Sequence, residues 1–210
     1  MCGDVDTLDA SQLYFETPWV WYGHFPSGSL NYGTSYIKLG RFESIKQFWQ
    51  LFNHFPPIDS IHDGCVFYDR QPIVAYSLFR DGVDPEWEHP RNLIGSEWGC
   101  RETLCRERFH HLWKEYVLGA IGENIPHCVG VRAINKSNRN RCLHKVEIWM
   151  DKTDIPSIQA CRRSLTKLVP DSPRFVHMPH QEKQSQAFEY QKRRRTRNGS
   201  VVGRDLQAGD

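Results

Sequence analysis

Val74-Ala75-Tyr76-Ser77-Leu78-Phe79-Arg80-Asp81-Gly82-Val83-Asp84-Pro85-Glu86-Trp87-Glu88-His89-Pro90 reads as a strand that gives way to a polar loop. The run from Val74 to Phe79 is rich in Val, Tyr, Leu and Phe and has a glycine beyond it, so it predicts a strand. Trp87 then stands between two prolines in an otherwise polar segment, a poor place for a core aromatic. Either this tryptophan folds back to cover the sheet, or it is held out to meet a ligand.

Outward from this strand, similar runs predict others at Trp19 to Tyr22, Tyr36 to Leu39, Leu93 to Gly99, Cys128 to Ala133, Val146 to Met150 and Arg174 to Met178. Three segments have helical spacing instead. The first carries Ile45, Phe48, Trp49, Phe52 and Phe55 on one stripe, opens at Ser44 with Gln47 three residues later, and stops at Pro56-Pro57. The second runs from about Glu102 to Ile121, with Phe109, Leu112, Trp113 and Tyr116 on one side and Gly122 at its end. The third is capped by Asp154, has Pro156 in its first turn, and buries Ile158, Cys161, Leu165 and Leu168. Each helix is one-sided and needs a sheet to cover. The expected fold is therefore α+β, one antiparallel sheet with all three helices on one face and the other face open to a ligand.

With 210 residues, 39% apolar, the chain supports one core rather than two. A flexible arm is expected over residues 1–13, a folded body over 14–179, and a mostly disordered basic tail over 180–210. Of 27 basic residues against 25 acidic, five (Lys192, Arg193, Arg194, Arg195, Arg197) sit together in that tail, so the remainder is slightly acidic. Such a body does not hold nucleic acid by a broad positive field; phosphate contact has to come from a few local cations. The seven scattered cysteines, with neither an export signal nor a membrane-spanning apolar run, imply free thiols and a cytoplasmic protein, with the basic run open to reading as a nuclear signal.

The candidate chemistry lies in loop aromatics. Tyr32 sits in a Gly- and Ser-rich loop, Ser27 to Ser35, and with Trp87 it suggests a clamp for a flat ring. Glu88, beside Trp87, has the carboxylate needed to accept two parallel hydrogen bonds from N1 and N2 of guanine; taken alone it reads as a solvated surface acid. No Cys-x-x-Cys pair is present and the His and Cys residues lack zinc spacing, so neither a metal, a cofactor nor a Cys/His nucleophile is expected.

The run Tyr76 to Glu88, together with Phe48-Trp49-Gln50-Leu51-Phe52-Asn53-His54 and Ile121-Gly122-Glu123, closely resembles the translation initiation factor 4E family of mRNA cap-binding proteins, over about Trp19 to Met178. That resemblance implies a non-enzymatic, monomeric protein with a curved antiparallel sheet, three helices on the convex face and a 7-methylguanosine pocket on the concave face. It implies Trp87 and Tyr32 as the stacking pair, Glu88 as the guanine-reading carboxylate, Arg132 and Lys145 as cations on the cap phosphates, and Trp149 near the N7 methyl group. It also implies that Trp49, with Ile45 beside it and Glu115 on the second helix, receives a short helical motif from a scaffold or repressor protein.

The chemistry of that set is coherent. Methylation at N7 gives guanine a delocalised positive charge, and stacking between two rings then adds cation–π attraction of about 0.5–2 kcal/mol per ring. The even spacing from Lys145 to Trp149 puts both on one face of a strand. The chain departs from the family pattern in three places. Tyr32 replaces a larger ring, and Asn135 to Arg141 forms a longer loop that offers Arg139 or Arg141 as alternatives to Lys145. Lys114 stands where an apolar residue is usual, a cation that excludes some partners. Two other readings remain open: a regulatory module of the same fold with weak cap binding, and a general single-strand RNA binder.

Overall fold

The computed structural model describes residues 13–26, 35–171, 173–186 and 189. Seven strands form one antiparallel sheet in the order β2-β1-β5-β7-β8-β6-β9. They are β1 (Tyr14–His24), β2 (Tyr36–Ser44), β5 (Ala75–Arg80), β6 (Ser96–Glu102), β7 (Cys128–Asn135), β8 (His144–Met150) and β9 (Val176–Pro179). All seven expected strands are present in it. A two-stranded hairpin, β3 (Phe67–Tyr68) and β4 (Gln71–Pro72), lies apart and was not expected. Two residues per strand leave no periodicity to read.

The three long helices are α1 (Ile45–His54), α4 (Arg106–Ile121) and α5 (Ile155–Leu168). At the start of α1 the Ser44 side chain accepts from the Gln47 amide while the Gln47 side chain accepts from the Glu43 amide. The first contact satisfies a donor that the first turn leaves unpaired, and the second ties the helix back to the preceding strand. Asp154 caps α5 in the same manner. Two expected boundaries shift. Glu102 belongs to β6, paired with His144, so α4 begins only at Arg106. Leu93 ends a short helix α3 (Pro90–Leu93), not a strand, because Pro90 sets its first turn.

Strand alternation sorts side chains onto two faces. Trp21, Tyr76, Leu78, Trp98, Val131 and Ile148 point to one side and pack with Phe48, Phe109, Leu112, Trp113, Cys161 and Leu165 of the three long helices, joined by Ile58 and Ile61 of the short helix α2 (Ile58–His62). On the other side, Val20, Tyr22, Phe79, Val83, Val129 and Trp149 form a second, smaller cluster, with Tyr36 and Trp87 packed against it. Residues 180–186 continue as a helix, α6, which lies on this second side: the His180 ring meets Trp149 at 4.5 Å and Lys183 pairs with Glu97. Among the described residues no helix is long and apolar enough to cross a membrane.

Candidate functional site

The ladder register fixes the floor of the face opposite the long helices. One rung runs Val20, Phe79, Gly130, Trp149, Glu97, Met178 across six strands. The next runs Tyr22, Ser77, Arg132, Glu147, Gly99, Val176. A third holds His24, Ala75, Ile134, Lys145 and Arg101. An aromatic row thus lies beside a charged row. The close approach at Gly130 makes this possible, since a Cβ there would fall 2.4 Å from Phe79 Cε1.

Trp87 stands over this floor on a loop that the sheet itself holds. The Tyr22 hydroxyl interacts with the Asp84 carboxylate and the Tyr36 hydroxyl with the Glu86 carboxylate. Burial first, and those acids second, push Tyr36 up to about 12 and Tyr22 higher, so both remain donors. From the other side the Asn92 amide donates to the carbonyls of Asp84 and Glu86, at 2.8 and 2.7 Å. Trp87 is half-buried, and its Nε1 is shielded from solvent with no hydrogen-bond partner among the described residues. Glu88 is exposed beside it. Tyr32 lies outside the described residues.

The charged row is occupied from within. Lys145 is only 3% exposed; its ammonium bonds to Glu147 and lies 3.3 Å from Glu97. The residue expected to meet a ligand's phosphates is thus held here by two carboxylates. Arg132 faces Glu147 at 3.9 Å and reaches His24 Nδ1 at 3.4 Å, with its Nε left without a hydrogen bond among the described residues. Trp149 is 1% exposed and donates from Nε1 to Glu147 at 3.2 Å. It serves as floor and not as a free ring. Arg139 and Arg141 are exposed on the loop between β7 and β8.

Sequence reading passed over Glu97, Glu147, His180 and Lys183. The signal for Glu147 was present: a strand that puts Lys145 and Trp149 on one face puts the residue midway between them there too. Burial alone would raise Glu147, but Lys145, Lys183 and Arg132 outweigh it and hold this carboxylate well below its usual range. Glu97 moves the opposite way, raised by burial and by Glu147 beside it. His180 donates from Nδ1 to the Asn92 carbonyl at 2.7 Å, which leaves Nε2 as an acceptor; burial, chiefly, brings it down to about 4 and keeps it neutral. A cavity of about 460 Å³ borders this cluster, lined by Glu97, Lys145 and Lys183 and by Arg101, Arg174 and Gln186. Among the described residues no group of three His, Cys, Asp or Glu is placed to hold a metal ion.

On the opposite face Trp49 is 37% exposed, its ring packed edge-on against Phe48 at 5.0 Å and Phe52 at 5.4 Å. Ile45, Lys114 and Glu115 are half-buried, and Glu115 approaches His111 at 4.0 Å.

The family described as eukaryotic initiation factor 4E matches residues 14–197. The translation initiation factor 4E of Dictyostelium discoideum is 24% identical over 167 residues, 78% of this chain, and the chain spans 62% of that protein's length. Among solved structures, C. elegans eIF4E-3 in complex with the 4E-binding protein Mextli and a cap analogue superposes with a TM-score of 0.66 at 17% identity, covering 82% of this chain and 95% of that one. Ascaris suum eIF4E-3 with an m2,2,7G cap gives 0.65 at 20% identity, covering 80% and 91%. At these identities the likeness to the solved structures is one of fold.

Proposed function

Because this chain belongs to the eukaryotic initiation factor 4E family, we propose that it binds the 7-methylguanosine cap of messenger RNA on the sheet face bearing Trp87, as a step in translation initiation. One observation carries the reading. Two hydrogen bonds from the Asn92 side-chain amide, with Tyr22 and Tyr36 set against Asp84 and Glu86 from the sheet, anchor the loop that holds Trp87 over the aromatic floor with Glu88 exposed next to it. A ring fixed in advance binds a flat base without an ordering cost.

In this reading Trp87 stacks on one side of the methylated base and Tyr32 on the other. Glu88 accepts from N1 and N2 of guanine, a charge-assisted pair about twice as strong as a neutral one. Arg132 and Lys145 supply the phosphate counter-charge, with the exposed Arg139 or Arg141 as alternatives to Lys145, which here pairs with Glu97 and Glu147. On the opposite face Trp49 and Glu115 receive a short helical motif from a 4E-binding protein.

Tryptophan fluorescence titrated with 7-methyl-GTP and with GTP tests the reading, on wild type and Trp87→Ala. Quenching by the methylated nucleotide alone, abolished in the variant, is expected. Equal affinity for both nucleotides would sink it. The internal pairing of Lys145 with Glu97 and Glu147 favours a second reading, a regulatory module with weak cap binding that acts through Trp49. That version shows feeble quenching with intact capture of the helical motif.

A further inference from the structure

We propose that Lys183 is a built-in occupant of the cap pocket, its ammonium resting on Trp87 where the cationic base stacks, so that binding requires helix α6 to withdraw it. This rests on the cap-binding reading above. Lys183 Nζ lies 4.9 Å from the centroid of the Trp87 ring, cation–π distance. The same atom pairs with Glu97 and lies 3.2 Å from Glu147. One aromatic face and two carboxylates therefore already surround a positive charge.

The attachment of α6 is uneven, and that makes it releasable. Its first residue is fully buried: the His180 amide donates to the Gly95 carbonyl at 3.0 Å, its Nδ1 to the Asn92 carbonyl at 2.7 Å, and its ring lies against Trp149. One turn on, Lys183 is the charged contact, while Gln181, Glu182, Ser185 and Gln186 are exposed. His180 thus acts as a hinge pin and Lys183 as the latch. Exchange of Lys183 for an N7-methylated purine swaps one cation for another, so Glu97 and Glu147 keep their counter-charge. A neutral base offers no such exchange.

The test uses the full chain with Lys183→Gln, and Lys183→Arg to restore the charge. The probe is 7-methylguanosine, a nucleoside without phosphates, titrated against guanosine. Removal of an internal competitor of this type raises affinity for the methylated nucleoside between about 2-fold and about 30-fold, the span of a cation–π contact, and Lys183→Arg returns it to the wild-type value. No gain, or a fall, in Lys183→Gln overturns the proposal. If neither protein distinguishes the methylated nucleoside from guanosine, the cap-binding reading itself fails. Acrylamide quenching of Trp87, obtained by difference from Trp87→Phe, then decides the latch: it rises in Lys183→Gln if Lys183 covers the ring, and an unchanged value rejects the contact.

Discussion

Arg132 stands directly opposite Glu147 in the β7–β8 ladder, with Nη1 3.9 Å from Oε2, on the rung next to the one that holds Phe79 and Trp149. Glu147 is the hub: Lys145, Lys183 and the Trp149 indole all approach its carboxylate.

Glu147→Ala is expected to destabilise the fold by about 3–5 kcal/mol, since it leaves the buried Lys145 ammonium short of a partner and removes the acceptor of Trp149. Urea midpoints of wild type and variant measure this. A loss below about 1 kcal/mol, the range of exposed ion pairs, would show that the cluster is solvated in solution.

Gly130→Ala places a methyl group within 2.4 Å of Cε1 of the fully buried Phe79 ring, so something must shift. A loss of about 1–3 kcal/mol is expected from overpacking. Weaker quenching by 7-methyl-GTP follows too, because Phe79 packs against Trp149 at 5.2 Å in the floor of the pocket.

Stability falls as acid is added, beginning near neutrality. Burial chiefly brings His180 and His144 down to about 4, and burial with Arg132 holds His24 well below its ordinary value. Unfolded histidine takes its proton near pH 6.5. Between about pH 6.5 and about 4 the unfolded chain therefore binds more protons than the folded one, and the folded state loses ground. Below that, Glu147 adds its own loss, as its depressed carboxyl is protonated first in the unfolded state. Urea midpoints measured from pH 7.5 down to 4.5 check the slope, which becomes shallower in His180→Gln.

Trp49→Ala is expected to abolish capture of a helical peptide from a 4E-binding protein while nucleotide quenching by the other face is retained. Trp49 lies on α1, across the sheet from Trp87, so the two sites do not share side chains. Fluorescence anisotropy of a labelled peptide reads the loss; unimpaired binding would move the partner surface elsewhere.

Local rules made much of the fold legible. Ser44 with Gln47, and Asp154 with Pro156, marked helix starts, and Val, Ile, Tyr and Trp runs marked all seven strands of the main sheet. The two-residue strands Phe67–Tyr68 and Gln71–Pro72 carried no pattern to read. Helix α6 escaped because its anchoring lies in His180 and Lys183, whose hydrogen-bond partners Asn92 and Glu147 are 88 and 36 residues away in sequence.

Sequence by itself determined that Trp87 and Glu88 stand in a polar loop, that Lys145 and Trp149 share a face, and that Trp49 edges a helical stripe. Each follows from spacing over a few residues. Only the tertiary structure decided that Lys145 is spent on Glu97 and Glu147 and that Lys183 lies over Trp87. Charge pairing depends on which strands become neighbours, and here the order β7-β8-β6 brings Arg132, Glu147 and Glu97 to adjacent strands from distant parts of the chain.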